Sequence, residues 1–164
     1  MKYILALVFI LILFSCQSDK EQRQETIKSI DIDVELIRFD SIFMNTSPEK
    51  VVQLREKYPQ FFPDQTKDQM WVEKRKDSLM QVIYQEVEQQ FSSTDSLQNQ
   101  LQKLFQHYKY YFPDKKIPEV YTVAEYVDYR NKVLLNGNNL IISLDNYLGK
   151  DHRFYTDFED YISK

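Results

Sequence analysis

The sequence predicts an α+β fold in which helices pack on a small sheet with a C-terminal β-hairpin, and three observations carry this. Apolar and acidic residues alternate strictly through Ile30-Asp31-Ile32-Asp33-Val34-Glu35-Leu36, the period of a strand with one buried and one wet face. From residue 47 to residue 113 the apolar residues recur at helical spacing, in stretches stopped by proline. Past Pro118 the spacing turns extended again, and two apolar runs flank Asn136-Gly137-Asn138-Asn139, a hairpin signal. Strand, then helices, then strands is the order of an α+β layer.

Ahead of these elements stands an export signal. Lys2 supplies one positive charge, and Tyr3 to Phe14 is an unbroken apolar run ending at the small residue Ser15. At about 1.5 Å per residue the run is roughly 18 Å long, too short for a hydrocarbon core about 30 Å thick. Residues 1–15 are therefore read as a secretory signal peptide. Leu13-Phe14-Ser15-Cys16 resembles the lipobox of bacterial lipoproteins. That resemblance implies cleavage before Cys16 and attachment there of a diacylglycerol and a palmitate-like acyl chain. Two or three such chains anchor firmly, because each buried CH2 contributes about 0.8 kcal/mol. Residues 16–29 are polar and without periodicity, and are read as a lipidated tether leading to a domain over 30–164.

The elements follow in order. Ile37 and Phe39 break the alternation of the first strand. Ser47-Pro48-Glu49 opens a helix with a hydroxyl cap, a proline in the first turn and an acid at the positive dipole end. Val51, Val52, Leu54 and Tyr58 form its apolar side, and Pro59 ends it. One long helix is expected from about Asp64 to Phe91, with Glu73-Lys74-Arg75-Lys76-Asp77 as its solvated face. Another runs from Asp95 towards Pro113 behind Leu97, Leu101, Leu104, Phe105 and Tyr108. Glu119 to Val123 is a strand, and Lys132 to Leu144 a hairpin. Asp151 to Lys164 looks helical, and its Phe154, Tyr155, Phe158, Tyr161 and Ile162 want a cover, so a longer native chain is expected.

Composition excludes several chemistries. Cys16 is the only cysteine, so the mature chain has no disulfide and no cysteine-based zinc site. With glycine only at 137 and 149, no phosphate-cradling loop exists. A net charge of −4 disfavours nucleic acid. The only histidines are His107 and His152, and neither has the spacing of a metal-binding pair. His107 reads as a surface residue and His152 as a turn residue, with a cluster of His152 and Asp145 as the sharper alternative. Asp128 and Asp145 stand beside expected strands and are the first carboxylates to inspect, against the plainer reading of turn acids. No catalytic residue, metal ligand or cofactor site is assigned, and the chain is expected not to be an enzyme. Twelve tyrosines and eleven phenylalanines fill a small core or line a ligand-facing surface.

Four strings then carry a family resemblance: residues 33–40 (DVELIRFD), 58–63 (YPQFFP), 104–113 (LFQHYKYYFP) and 140–149 (LIISLDNYLG). In this succession, behind the lipobox, the chain resembles the GldB family of gliding-motility lipoproteins of the Bacteroidetes. The resemblance implies a lipid-anchored part in surface gliding, beside other envelope proteins of the machinery. It carries over no catalytic residue; Cys16, the lipid attachment site, is the one functional position that transfers. Family members are longer, which also implies a truncated domain here. A distant likeness of the family to zincin-like peptidase domains implies an alternative, an N-terminal portion of such an enzyme whose metal helix would follow the hairpin. A lipid-anchored ligand-binding module is the third reading. Gln17 rather than an acid after Cys16 leads to an expectation of the outer membrane, with the domain facing the periplasm.

Overall fold

The computed structural model of the chain describes residues 19–156. The signal peptide expected over 1–15, the lipid attachment expected at Cys16 and residues 157–164 of the helix expected from Asp151 lie outside the described residues. The helices are α1 (19–28), α2 (Phe39–Asn45), α3 (Val51–Lys57), α4 (Asp68–Lys76), α5 (Ser78–Gln90) and α6 (Asp95–Tyr111). The strands are β1 (Leu36–Ile37), β2 (Glu119–Val123), β3 (Val133–Asn136) and β4 (Asn139–Ser143). The α+β class is thus observed. The chain divides into two compact units, Met1–Val34 with Asp95–Ile117, and Glu35–Thr94 with Pro118–Lys164.

In the first unit, two expectations are corrected. Residues 19–28, read within a structureless tether, are helical, and Ile27 at 2% exposure gives that helix a buried side. Residues 30–35 do alternate, with Val34 buried and Asp31, Asp33 and Glu35 exposed, but no strand pairs with them. Glutamine amides of α6 take that place. Gln106 donates to the carbonyls of Lys28 and Ile30, both at 3.1 Å, Gln102 to Ile32 at 2.8 Å and Gln98 to Val34 at 3.2 Å. The spacing explains the match: two extended residues advance about 6–7 Å, and four helical residues about 6 Å. A glutamine at every fourth helical position therefore meets every second carbonyl of an antiparallel extended segment. Replacing Gln102 by leucine is expected to leave the Ile32 carbonyl without this donor and to cost about 1–2 kcal/mol, read as a lower urea midpoint.

The second unit carries a four-stranded mixed sheet in the order β1-β2-β4-β3. β2 lies parallel to both β1 and β4, whereas β3 pairs antiparallel with β4 from Val133↔Ile142 to Asn136↔Asn139. A central parallel strand is covered on both faces, and Val120, Tyr121, Thr122 and Val123 are all buried. Gly137 takes the first central position of the hairpin turn with φ +59°, a backbone conformation that residues with a Cβ rarely adopt.

The core of this unit is aromatic. Phe39 and Phe43 of α2, Val51 and Leu54 of α3, Tyr58 and Phe62 cluster with Tyr121 and Val123 of β2. Phe39 stacks on Phe61 at 4.0 Å between centroids, and Phe62 meets Trp71 edge-on at 4.9 Å. Pro48 opens a 3-10 turn that leads into α3, and Ser47 makes no side-chain capping bond there, contrary to the cap expected from sequence. The long helix expected over 64–91 is two helices. Asp77 has extended ψ, and its carboxylate accepts from Met80 N at 2.9 Å, so the residue read as solvated face is the N-cap of α5.

Candidate functional site

Three connections leave the C-terminal ends of the parallel strands, the edge where open α/β sheets place their ligands. Arg38 and α2 follow β1, residues 124–132 follow β2, and a 3-10 turn at Leu144–Asn146 follows β4. Each brings a charged group to the sheet.

After β1, Asp40 is buried at 3% exposure and is held by two side chains. Arg38 donates to it bidentately, Nε to Oδ1 at 3.0 Å and Nη2 to Oδ2 at 2.7 Å. Thr122 Oγ1 of β2 donates to Oδ1 as well. The guanidinium also reaches Glu88 at 2.5 Å and the Phe91 carbonyl at 3.0 Å, both belonging to the α5 end. Burial works to lower the Arg38 pKa, but pairing with the Asp40 and Glu88 carboxylates outweighs it and raises the value. All three nitrogens of the guanidinium donate, so this cluster ties β1, α2, α5 and β2 together.

After β2 the backbone is strained. Tyr126 and Val127 are consecutive non-glycine residues with φ +42° and +57°, and for a β-branched valine that is a genuine outlier, costing about 1–3 kcal/mol. What holds them is Asp145, fully buried on the turn after β4. Its Oδ2 accepts from Glu125 N at 3.0 Å and Val127 N at 2.6 Å. Its Oδ1 and the neighbouring Asn146 Nδ2 have no hydrogen-bond partner among the described residues. Burial pushes the Asp145 carboxyl above the usual range, against the two amide hydrogen bonds that favour the charged form. Tyr155 Oη donates to the Asp145 carbonyl at 2.7 Å and fixes the turn from below.

The strained loop opens a cleft of about 840 Å³ between Gln60, Phe61, Pro63 and Trp71 on one side and Tyr126, Tyr129, Leu134 and Ile141 on the other. Trp71 is held by its Nε1 donating to Thr66 Oγ1 at 3.0 Å, and the 62–68 loop by Arg55, which donates to Asp68 at 2.7 Å and to the Thr66 carbonyl at 2.6 Å. Lys74 Nζ donates to Glu125 Oε2 at 2.7 Å while lying 5.5 Å from the Trp71 ring centroid and 5.6 Å from that of Tyr126. Lys74 was expected on a solvated face; instead it clamps α4 to the loop. On β2, Tyr121 Oη donates to Glu119 Oε2 at 2.6 Å, and burial pushes that phenol up to about 12. With its folded value above the ordinary value near 10, Tyr121 favours the folded state until the pH rises through about 10 to 12. A spectrophotometric titration is expected to show one tyrosine ionising only with alkaline unfolding.

The sequence-selected residues separate cleanly. Asp145 is the buried acid that organises the site. Asp128 caps the 3-10 turn at Tyr129–Asn131, accepting from Arg130 N at 3.1 Å, Arg130 Nε at 2.9 Å and Asn131 Nδ2 at 2.8 Å. Its hydrogen bond from Arg130 lowers its pKa. His152 is a turn residue: Nδ1 accepts from Phe154 N at 3.3 Å and Nε2 lies 3.4 Å from Glu86. It does not join Asp145, whose carboxylate is turned to the loop amides. His107 is half-buried on α6, in the other unit. Among the described residues no group of three or more His, Cys, Asp or Glu side chains could hold a metal ion. Trp71, Lys74 and Tyr126 were not selected from sequence, and neither was Arg38-x-Asp40, since no local pattern marks them.

No described helix is long and apolar enough to cross a membrane. No curated protein and no solved structure matches the chain. A family model does, that of the gliding motility protein GldB, over residues 20–164, which takes in both units and the whole of the cleft. Its name marks the family as lipoproteins. By that match along nearly its whole length, the chain belongs to the gliding motility protein GldB family.

Proposed function

We propose that the chain is a lipid-anchored envelope component of the gliding machinery, held through Cys16 on the outer membrane facing the periplasm, and that it acts by protein contacts rather than by catalysis. The family match over residues 20–164 carries this reading. The apolar run ending in Ser15-Cys16 supports the anchor. The character of the cleft supports protein contact: its carboxylates are engaged, Asp128 by Arg130 and Asn131 and Glu125 by Lys74, while Tyr126 and Tyr129 stand 45% and 42% exposed. Its partners are other envelope proteins of the machinery; no nucleic acid and no cofactor is involved.

Two measurements test it. Deleting the gene is expected to abolish spreading of cells on agar, and normal spreading would sink the gliding role. Intact mass of protein extracted from membranes is expected to give a lipidated N-terminus at Cys16, lost in Cys16→Ala. An unmodified Cys16 would overturn the anchor.

A further inference from the structure

We infer that the C-terminal end of α6 seats on the membrane surface, with its aromatic side chains in the headgroup layer and its lysines on lipid phosphates. The inference rests on the reading that Cys16 carries the lipid, and adds to that anchor a second contact that holds the first unit down.

The length of the chain brings this end of α6 to the bilayer. Only Gln17 and Ser18 stand between Cys16 and Asp19, where α1 begins, a step of at most about 11 Å when fully extended. α1 adds about 15 Å over 19–28. At its far end the Lys28 carbonyl accepts from Gln106, and the same ladder continues through the carbonyls of Ile30, Ile32 and Val34. The segment that follows the anchor is thus pinned to α6, and Gln106 stays within roughly 30 Å of Cys16. A patch held that close meets the bilayer at high effective concentration, so it need not be large enough to bind unaided.

This end of α6 is an apolar stripe beside a basic turn. Leu104, Tyr108 and Tyr111 follow at steps of four and three residues and share one face of the helix. Leu104, Tyr111 and Phe112 stand 53%, 56% and 53% exposed. Phe112 meets Tyr108 at 5.4 Å between ring centroids, and Tyr111 meets Tyr110 at 5.0 Å. Lys109 Nζ donates to the carbonyls of Pro113 at 2.6 Å and Lys115 at 2.9 Å, and Lys115 N donates to the Phe112 carbonyl at 3.1 Å. These bonds close the turn that carries the exposed Lys115 and Lys116 next to Phe112.

Charge and composition name the occupant. Residues 103–116 hold Lys103, Lys109, Lys115 and Lys116 against the single acid Asp114, on a protein of net charge −4. No carboxylate among the described residues pairs with any of the four lysines. Protein interfaces favour tyrosine and phenylalanine but are depleted of lysine. Tyrosine beside lysine is the mixture found where a protein meets the headgroup layer, the ring lying at its depth and the amine reaching the phosphates. On an anionic surface each such lysine contributes about fivefold in affinity.

The test uses the full lipidated chain in vesicles of phosphatidylethanolamine and phosphatidylglycerol. With Cys16 consumed by the lipid, Pro113→Cys supplies a lone thiol for a spin label and leaves every seating side chain in place. The label is expected to collide with membrane-dissolved oxygen and to be shielded from an aqueous nickel chelate. A label at Asn99→Cys, exposed and about three turns before Tyr111, is expected to be open to the chelate. Lys115→Gln together with Lys116→Gln is expected to lower the ratio of seated to unseated label about twentyfold. Should Pro113→Cys disturb the turn, acetylation of the unsubstituted chain replaces it. Lys115 and Lys116 are then expected to react at least about fivefold more slowly, relative to the exposed Lys150, than on phosphatidylcholine alone. A label at position 113 as open to the chelate as that at 99 would overturn the inference, as would unslowed acetylation. So would shielding from oxygen and chelate alike, the mark of a protein neighbour, or dipolar broadening from a second copy of the chain. An unmodified Cys16 in the intact mass would sink the anchor reading and this inference together, whereas a lipidated chain with an open label sinks this inference alone.

Discussion

Replacing Arg38 by alanine is expected to destabilise the second unit by about 3–5 kcal/mol, among the largest effects of any single exchange in this chain. Asp40 is fully buried at its side chain, and without the guanidinium only the Thr122 hydroxyl remains to face its carboxylate. The loss is compounded at the α5 end, where Glu88 and the Phe91 carbonyl lose the same donor. The physical cause is the stranded charge rather than the absolute strength of the pair, which fixes the second half of the expectation. Exchanging Arg38 for methionine together with Asp40 for asparagine removes donor and charge at once and should recover a substantial part of the loss. A double-mutant cycle read by urea denaturation measures this. If Arg38→Ala alone cost no more than an exposed salt bridge, about 0–1 kcal/mol, the cluster would not be the tie described here.

Asp145→Ala is the second large effect, about 2–4 kcal/mol, and it strikes the cleft as well as stability. The variant leaves the amides of Glu125 and Val127 without their acceptor, while Tyr126 and Val127 still need support for positive φ. The loop is expected to relax towards ordinary backbone angles, moving Tyr126 away from Lys74 and Trp71. Loss of protection of the Glu125 and Val127 amides in hydrogen exchange reads the loop, and the urea midpoint reads the stability. Asp145→Asn keeps an oxygen for the two amides and is expected to lose much less. The pH dependence separates the two roles of the carboxyl. Because burial raises its folded pKa above the unfolded value near 3.9, the folded state binds the proton more tightly. Its contribution is therefore fully present below that unfolded value and declines as pH rises through the raised folded value. The asparagine variant should lack this part of the slope. Identical pH profiles for the aspartate and asparagine forms would show that burial does not tune this group.

Elements whose signal is local were legible in the sequence. Glu119–Val123 formed a strand within the expected bounds because valine, tyrosine and threonine suit a pleated, buried backbone whatever surrounds it. The hairpin was legible because Gly137 is nearly alone in tolerating the left-handed position. Pro59 and Pro113 marked helix ends because proline lacks the amide that the next turn needs. The family strings were legible as well, and the match over residues 20–164 agrees with them.

Partners distant in sequence were not legible. The alternation of residues 30–35 gave a correct wet face and a correct buried face, yet it could not reveal that glutamines some seventy residues away would take the carbonyls in place of a strand. Asp77 looked like one more charge on a long helix until the turn at its amide made it a cap. Asp145 was singled out as a carboxylate beside a strand, but its task depends on Glu125 and Val127, and a valine at positive φ has no sequence signature. Arg38 and Asp40 show only an arginine two residues before an aspartate; Thr122 and Glu88 join them through sheet pairing and helix packing. The sequence by itself determined the local elements and the family, because each is written in consecutive residues. Tertiary structure alone decided the cleft and the buried charges, because a carboxylate's partner and a loop's strain exist only once distant segments meet.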